Sequence, residues 1–341
     1  MFGTTADFTL YPRLKPISLG PVVIGMPVIL APMAGVTDMP FRRLVKKHGA
    51  GLVVSEMIAS QAMVREARKT LQMIPQPHEE QPVAVQLSGC EPEVMADAAR
   101  LNQDRGAAII DINFGCPVKK VVNGHAGASL MRNEALAAKI LEAVVRAVQV
   151  PVTLKMRLGW SHDNMNAPRL AKIGEECGVK MVTIHGRTRN QFYEGKADWK
   201  LIRLVKDMVK IPVIANGDIS DFSETLQALD QSGADGLMIG RGAYGRPWFI
   251  GQVMEFLKSG HIGEPPTITQ RRALVLEHLE AMLAYYGAHA GLRIARKHIG
   301  WYSKGLPQSS EFRAAVNTCA DPNKAHQLIH DFFQPLQEKA A

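Results

Sequence analysis

The sequence predicts a (β/α)8 TIM barrel followed by a C-terminal helical domain of about four helices. Three observations carry this reading. Eight short β-rich runs alternate with amphipathic stretches over the first ~250 residues, which is the repeat of that barrel. The runs also show a rhythm of two: Pro-Val opens the odd ones, at Pro27, Pro82, Pro151 and Pro212. After Gly260 the β-rich runs stop, and helical periodicity continues to the end.

In chain order the runs are PVILAPMA (27–34), LVVSEM (52–57), PVAVQLSG (82–89), AAIIDINFG (107–115), PVTLKMRLG (151–159), MVTIHGRT (181–188), PVIANGDI (212–219) and GLMIGRG (236–242). The even runs follow glycines expected to end the preceding helix: Gly51, Gly106, Gly178 and Gly233. Alternating strand openings suit a barrel whose odd and even strands fill different interior layers. A doubly wound open sheet is the alternative, but it calls for no such fourfold rhythm. EPPT (264–267) reads as a linker, and TITQ (267–270) as a capping box that opens a helix. Breaks are expected near Gly287, 306–308 and 321–322. The expected division is therefore 1–263 for the barrel and 264–341 for the helical domain.

Composition narrows the function classes. Hydrophobic residues make up 46% of 341, enough for a full core. Forty basic residues against 32 acidic ones give a net charge of +8, which permits a polyanionic partner. Cys90, Cys116, Cys177 and Cys319 are scattered, without metal-ligand or CxxC spacing, so reduced thiols in a cytoplasm are expected and no metal. No apolar run reaches the ~18 residues of a membrane span. A monomer is expected.

A barrel of this kind does its chemistry at the C-terminal ends of its strands. Those ends are rich in polar groups. Met33 lies near the end of run one with Asp38 beyond it, Glu56 near the end of run two, and Gln86 on run three. Asp111, Asn113 and Cys116 come from run four, Lys155 and Arg157 from five, His185 and Arg187 from six. Asn216 and Asp218 end run seven, Gly240 and Arg241 run eight. Pairs two apart face the same side of a strand. GRGAYG after run eight has the spacing of a dinucleotide-binding loop, but no later strand completes the unit. Loops after the last two barrel strands instead commonly cradle a phosphate, for which Gly217, Gly240, Gly242 and Arg241 are suited. Gln86, Asn113, Lys155 and His185 are placed to bond the edge of a large planar ligand.

APMAGVTD (31–38), VSEM (54–57), DINFGCPVKKV (111–121), TLKMRLGW (153–160), TIHGRT (183–188), IANGDI (214–219), MIGRGAYGRPW (238–248) and GLRIARKHIGWY (291–302) together resemble the bacterial tRNA-dihydrouridine synthases, most of all the B type. The resemblance implies an FMN-dependent barrel that reduces chosen uridines in tRNA, with NADPH as electron source. It implies FMN contacts from Pro32, Met33, Ala34, Gln86, Lys155, His185, Asn216, Gly217, Asp218, Gly240 and Arg241. Asn113 would bind the target uracil and Cys116 would be the catalytic acid. Phe114 departs from the methionine often found there in related sequences. Saturating the uracil double bond needs a hydride on carbon 6 and a proton on carbon 5. A thiol of ordinary pKa, ~8.5, stays protonated at neutral pH and needs no base partner. The loop from Cys116 to Ser129, which carries His125, is expected to act as a lid.

Treated as one helix, 291–306 puts Arg293, Arg296, Lys297 and Lys304 on a shared face, and no acidic residue falls between Glu280 and Glu311. Contact with tRNA phosphates is expected there. Lys119, Lys120, Arg157 and Arg187 are further candidates at the barrel mouth. Two alternatives stay open: a dihydroorotate dehydrogenase-like FMN barrel acting on a free pyrimidine, and a non-catalytic RNA-binding barrel.

Overall fold

The computed structural model describes residues 14–65 and 81–340. The expected first thirteen residues of the barrel, and 66–80, lie outside the described residues. Among those described, a parallel sheet closes on itself. Its barrel strands are β3 (Val28–Leu30), β4 (Leu52–Val54), β6 (Val83–Ser88), β7 (Ile109–Phe114), β8 (Val152–Arg157), β9 (Met181–His185), β10 (Val213–Asn216) and β11 (Gly236–Ile239). The order runs β4-β3-β11-β10-β9-β8-β7-β6, and pairing of Val53 with Val83 joins the two ends. A short strand β5 (Ile58–Ala59) adds to β6 beyond the point where β4 leaves it. Every run read from the sequence holds one barrel strand.

The helices in chain order are α1 (Met39–Lys47), α2 (Ser60–Val64), α3 (Pro92–Asp104), α4 (Lys119–Asn123), α5 (Glu134–Ala147), α6 (Ala167–Glu176), α7 (Lys200–Met208), α8 (Phe222–Ser232), α9 (Phe249–Ser259), α10 (Ile268–Tyr286), α11 (Ala288–Tyr302), α12 (Ser309–Thr318) and α13 (Pro322–Ala340).

Strand alternation sorts the apolar residues into two cores. Val28, Leu30, Val53, Val85, Ile110, Ile112, Leu154, Val182 and Ile184 point outward and pack under the helices. Ile29, Leu52, Ala84, Ile109, Met181, Ile214 and Met238, on the other side of the same strands, fill the barrel's interior. A hairpin absent from the sequence reading closes the lower end. Its strands, β1 (Ile17–Leu19) and β2 (Val22–Ile24), bury Ile17, Leu19, Val22 and Ile24 in that interior cluster. Gly20, at φ +59 in the two-residue loop before Pro21, supplies the backbone such a tight hairpin needs.

One of the expected helix-ending glycines is corrected. The residue at positive φ after α1 is Gly49, at +100°, not Gly51. Gly51 is required for another reason: a Cβ there would stand 2.4 Å from the Met26 carbonyl oxygen.

After the irregular segment 261–267 come four helices among the described residues, α10 to α13. The capping box is present, with the Thr267 hydroxyl accepting from Gln270 N–H and the Gln270 side chain accepting from Thr267 N–H. The bundle has its own core, including Val275, Leu279, Leu292, Ile299, Val316, Ile329 and Phe333. Leu44 of α1 and Trp248 join it, so the bundle is seated on the barrel. The expected helix 291–306 is shorter: it ends at Tyr302 with Ser303 as its cap, and Gly305 at φ +84 lies in the following turn.

Candidate active site at the barrel mouth

Four interior columns change character along their strands. Ala84 is followed two residues on by Gln86, Ile109 by Asp111 and Asn113, Met181 by Thr183 and His185, and Ile214 by Asn216. On β8 the inward positions are Thr153, Lys155 and Arg157. These groups are removed from water, so each needs a partner. Asp111 is the hub. It accepts from Thr153 Oγ1 at 2.6 Å and from Gln86 Nε2 at 2.7 Å. Burial pushes its carboxyl up, against the pull of those bonds and Lys155. Gln86 Oε1 accepts in turn from Asn113 Nδ2 at 2.8 Å.

Asn113 fixes Cys116. Its Oδ1 accepts from the N–H groups of Gly115 and Cys116, both at 2.9 Å. Arg157 Nε holds the Gly115 carbonyl at 2.9 Å, and the Cys116 carbonyl accepts from Ala128 N–H at 3.1 Å. Gly127, at φ +61, lets that approach occur, because a Cβ there would lie 2.8 Å from the Cys116 oxygen. The segment expected as a lid is thus α4 and a 3-10 turn (Gly127–Arg132) packed against the cysteine. Burial raises the Cys116 thiol, against an opposing backbone hydrogen bond from Val118 and the charges of Arg157 and Lys155.

Above this network lies a cleft of about 1280 Å³. Pro32, Met33, Ala34, Gln86, Asn113, Cys116, Lys155, Arg157, His185, Asn216, Gly217, Asp218, Gly240 and Arg241 all line it. Lys155 Nζ donates to Asn216 Oδ1 at 3.0 Å, and Asn216 Nδ2 to the Met238 carbonyl at 2.8 Å. Burial lowers the Lys155 pKa to about 8, with Arg157 adding to the fall. His185 is buried among cations, which keeps it neutral. Two glycines shape the wall. A Cβ on Gly217 would stand 2.8 Å from the His185 ring, and one on Gly242 would stand 2.3 Å from the Ile219 carbonyl oxygen.

Asp218 joins two expected site residues. It accepts from Arg187 through both carboxylate oxygens and from Arg241 NH2 at 2.9 Å. Burial would raise its carboxyl, but these cations and the Ala197 N–H hold it below the ordinary value. Arg187 is only 1% exposed, and its other bonds go to the carbonyls of Glu194 and Gly195 and, at 3.4 Å, to His185 Nε2. It braces the cleft wall from beneath. Arg157 is braced in the same way by the Thr188 and Phe192 carbonyls.

The expected basic face of the bundle is divided. Arg293 is exposed, whereas Arg296 donates to the Cys319 carbonyl at the end of α12. Lys297 turns toward the loop after β3: a Cβ on Gly35 would lie 3.6 Å from its Nζ. Asp38 and Glu56 act on its charge there. Lys304 lies beyond the helix and lines the cleft. The shared face fails because the helix stops before Lys304. Lys119 and Lys120 are exposed on α4. Tyr193, Tyr244, Arg246, Arg271 and Trp301 also line the cleft and were missed. Tyr244, Arg246 and Trp301 belong to quoted motifs and could have been found; Arg271 carries no such signal.

The sequence profile of the dihydrouridine synthase (Dus) family matches residues 29–338. A relative from Rickettsia bellii (strain RML369-C), named probable tRNA-dihydrouridine synthase, is 57% identical and covers 93% of this chain and 98% of its own. The tRNA-dihydrouridine synthase B of Xanthomonas axonopodis pv. citri (strain 306) is 50% identical, covering 94% of this chain and 96% of its own. Among solved structures, histamine dehydrogenase from Rhizobium sp. 4-9 superimposes with a TM-score of 0.58 at 12% identity, over 80% of this chain and 51% of that one. Morphinone reductase in complex with tetrahydroNAD gives 0.52 at 14% identity, over 76% and 93%. These two likenesses concern the fold alone. With a matched span that runs from β3 to α13 and relatives this similar over nearly their whole length, the chain belongs to the dihydrouridine synthase family.

Proposed function

We propose that the protein is an FMN-dependent tRNA-dihydrouridine synthase, reducing the 5,6 double bond of chosen uridines in tRNA with electrons from NADPH. One observation carries the reading: Cys116, its backbone N–H fixed by Asn113, lines a cleft large enough for a flavin and a base together.

The residues fit FMN. Gln86, Lys155, His185 and Asn216 offer polar atoms along one side of the cleft, and Pro32, Met33 and Ala34 an apolar edge. Gly217 and Asp218 after β10, with Gly240, Arg241 and Gly242 after β11, would take the phosphate. A Cβ on Gly240 would lie 3.4 Å from Met33 Sδ, so a larger residue would narrow the cleft between these two parts. FMN, when bound and reduced, supplies the hydride for carbon 6 of the uracil. Lys155, while charged, favours the anionic form of the reduced ring. Asn113 would meet the base through the Nδ2–H that here reaches only Met57 Sδ, at 3.6 Å. Cys116 gives its proton to carbon 5, and the thiolate left behind is stabilised by the neighbouring charges of Arg157 and Lys155. The acid works while the thiol is protonated, so activity falls as pH rises through its raised pKa.

The helical bundle would help hold the tRNA through exposed Arg293, with Lys304 at the cleft, and Lys119 and Lys120 on α4 would add exposed cations from the barrel. The target nucleotide must leave its stack to reach the cleft. A tRNA substrate places the work in the cytoplasm. The test is to incubate unmodified tRNA transcripts with the FMN-loaded protein and NADPH, and to read dihydrouridine by mass. Reduction of free orotate with no product in tRNA would defeat the proposal in favour of a dihydroorotate dehydrogenase-like activity.

A further inference from the structure

The guanidinium groups around the cleft are not equivalent. Arg157 is spent on three carbonyls, and Arg187 and Arg241 share Asp218. Arg246 donates to the carbonyls of Ser220 and Gly242. Arg271, in the first turns of α10, lines the same cleft and has no hydrogen-bond acceptor or carboxylate for its guanidinium among the described residues. Its Nε is buried without a partner, and a ring is what meets it: the centroid of Trp248 lies 5.6 Å from its Cζ. Burial lowers its pKa from the ordinary value.

An unpaired, half-buried cation costs free energy unless something arrives to pair with it. The cleft's carboxylates are not available for this. Asp218 is held by two arginines, and Glu224 accepts from the Ser220 N–H and hydroxyl. A second cation, Lys304, lines the cleft from the turn after α11. Beside it Trp301 stacks on Tyr244 of the barrel, with centroids 4.0 Å apart and rings within 10° of parallel. This end of the cleft therefore combines bundle cations with an aromatic pair that spans bundle and barrel. That chemistry suits a phosphate ester carried by a nucleotide. A nucleotide drawn out of an RNA stack brings its flanking phosphates to the rim of the pocket that receives it.

We propose that Arg271 binds a backbone phosphate of tRNA next to the extruded nucleotide, with Lys304 as a second cation at the same place. This rests on the reading that the chain acts on tRNA, and it adds a phosphate contact inside the cleft to those on the bundle surface.

The test is the affinity of an unmodified tRNA transcript for FMN-loaded protein at several salt concentrations, with Arg271→Met and Arg271→Lys beside wild type. Arg271→Met should bind at least ~10-fold more weakly, the worth of one charged hydrogen bond. Its slope of log K against log salt should shrink by ~0.7–0.9. Arg271→Lys keeps the charge and should keep the slope, while losing affinity because the planar fork is gone. Flavin content and thermal midpoint report that each variant is folded. Unchanged affinity and slope in a folded Arg271→Met would overturn the proposal and leave Arg271 as packing on Trp248. So would unchanged tRNA binding with a raised KM for NADPH in flavin reduction, which would give the site to a phosphate of the coenzyme. A wild-type protein that does not bind tRNA would overturn the proposed function as well as this site; an indifferent Arg271→Met beside a binding wild type would overturn the site alone.

Discussion

The two ends of the barrel are made from the same strands and differ in almost everything else. At the lower end the inward residues are Ile29, Leu52, Ala84, Ile109, Met181 and Ile214, capped by the β1–β2 hairpin. Two residues further along, the same columns carry Gln86, Asp111, Thr183 and Asn216. The lower end gains stability by removing apolar surface from water. The upper end forgoes that gain, and its buried polar groups are tolerable because Asp111, Gln86, Asn113, Thr153, Lys155 and Asn216 bond to one another. A strand of six residues, such as β7, thus serves stability with Ile109 and positions Cys116 through Asn113.

Substitutions at the two ends should therefore fail in different ways. The largest effect is expected at the mouth. Cys116→Ala should slow tRNA reduction by ~10²–10⁴-fold, the usual worth of a positioned general acid, with unfolding unchanged. Steady-state rates beside denaturant melts would show it, and loss of stability in place of activity would make Cys116 a packing residue. At the bottom, Ile109→Ala should cost ~2–5 kcal/mol of stability, because its side chain is fully buried. The rate per bound flavin should stay at the wild-type value, which urea titration and flavin-normalised turnover would check.

A smaller effect is expected on the side of the cleft proposed to take the FMN phosphate. Arg241→Ala should weaken FMN retention by ~1.5–3 kcal/mol, read by equilibrium dialysis. Normal retention would move the phosphate elsewhere. The last effect concerns the junction of mouth and bundle. Burial first, with Glu56 adding to it, raises the Asp38 carboxyl from 3.8 to about 7, while Phe41 N–H, Tyr286 and Arg42 pull the other way. The folded chain then keeps a proton that the unfolded chain releases, so stability falls as pH rises from 3.8 to about 7. Asp38→Asn should flatten that fall, visible in thermal melts between mildly acidic and neutral pH. An equally steep fall in the variant would remove Asp38 as its source.

Much of the fold was legible because its signals are local. Each barrel strand announces itself by an apolar run with punctuation at its ends, and the α10 start by Thr267 and Gln270. The residues that line the cleft were legible through period two, since neighbouring inward positions follow from any one of them. Long-range partners were not. Arg187 looked free in the sequence because Asp218, which occupies it, is 31 residues away. The β1–β2 hairpin was missed because three-residue strands give too few alternations to stand out. Lys304 was misplaced by continuing a helical period past Tyr302, where the chain turns. Arg271 is set apart by a buried Nε without a partner at the cleft, a fact of three-dimensional packing.

The most direct test of the central claim separates the two half-reactions. FMN-loaded protein is reduced with NADPH without oxygen, freed of excess coenzyme and mixed with unmodified tRNA in a stopped-flow instrument. Wild-type flavin should be reoxidised by the tRNA, with dihydrouridine formed in proportion. In Cys116→Ala the reduction by NADPH should proceed at the wild-type rate while the reoxidation by tRNA is slowed. Reduced flavin that ignores tRNA but is reoxidised by free orotate, or a variant slowed equally in both steps, would contradict the claim.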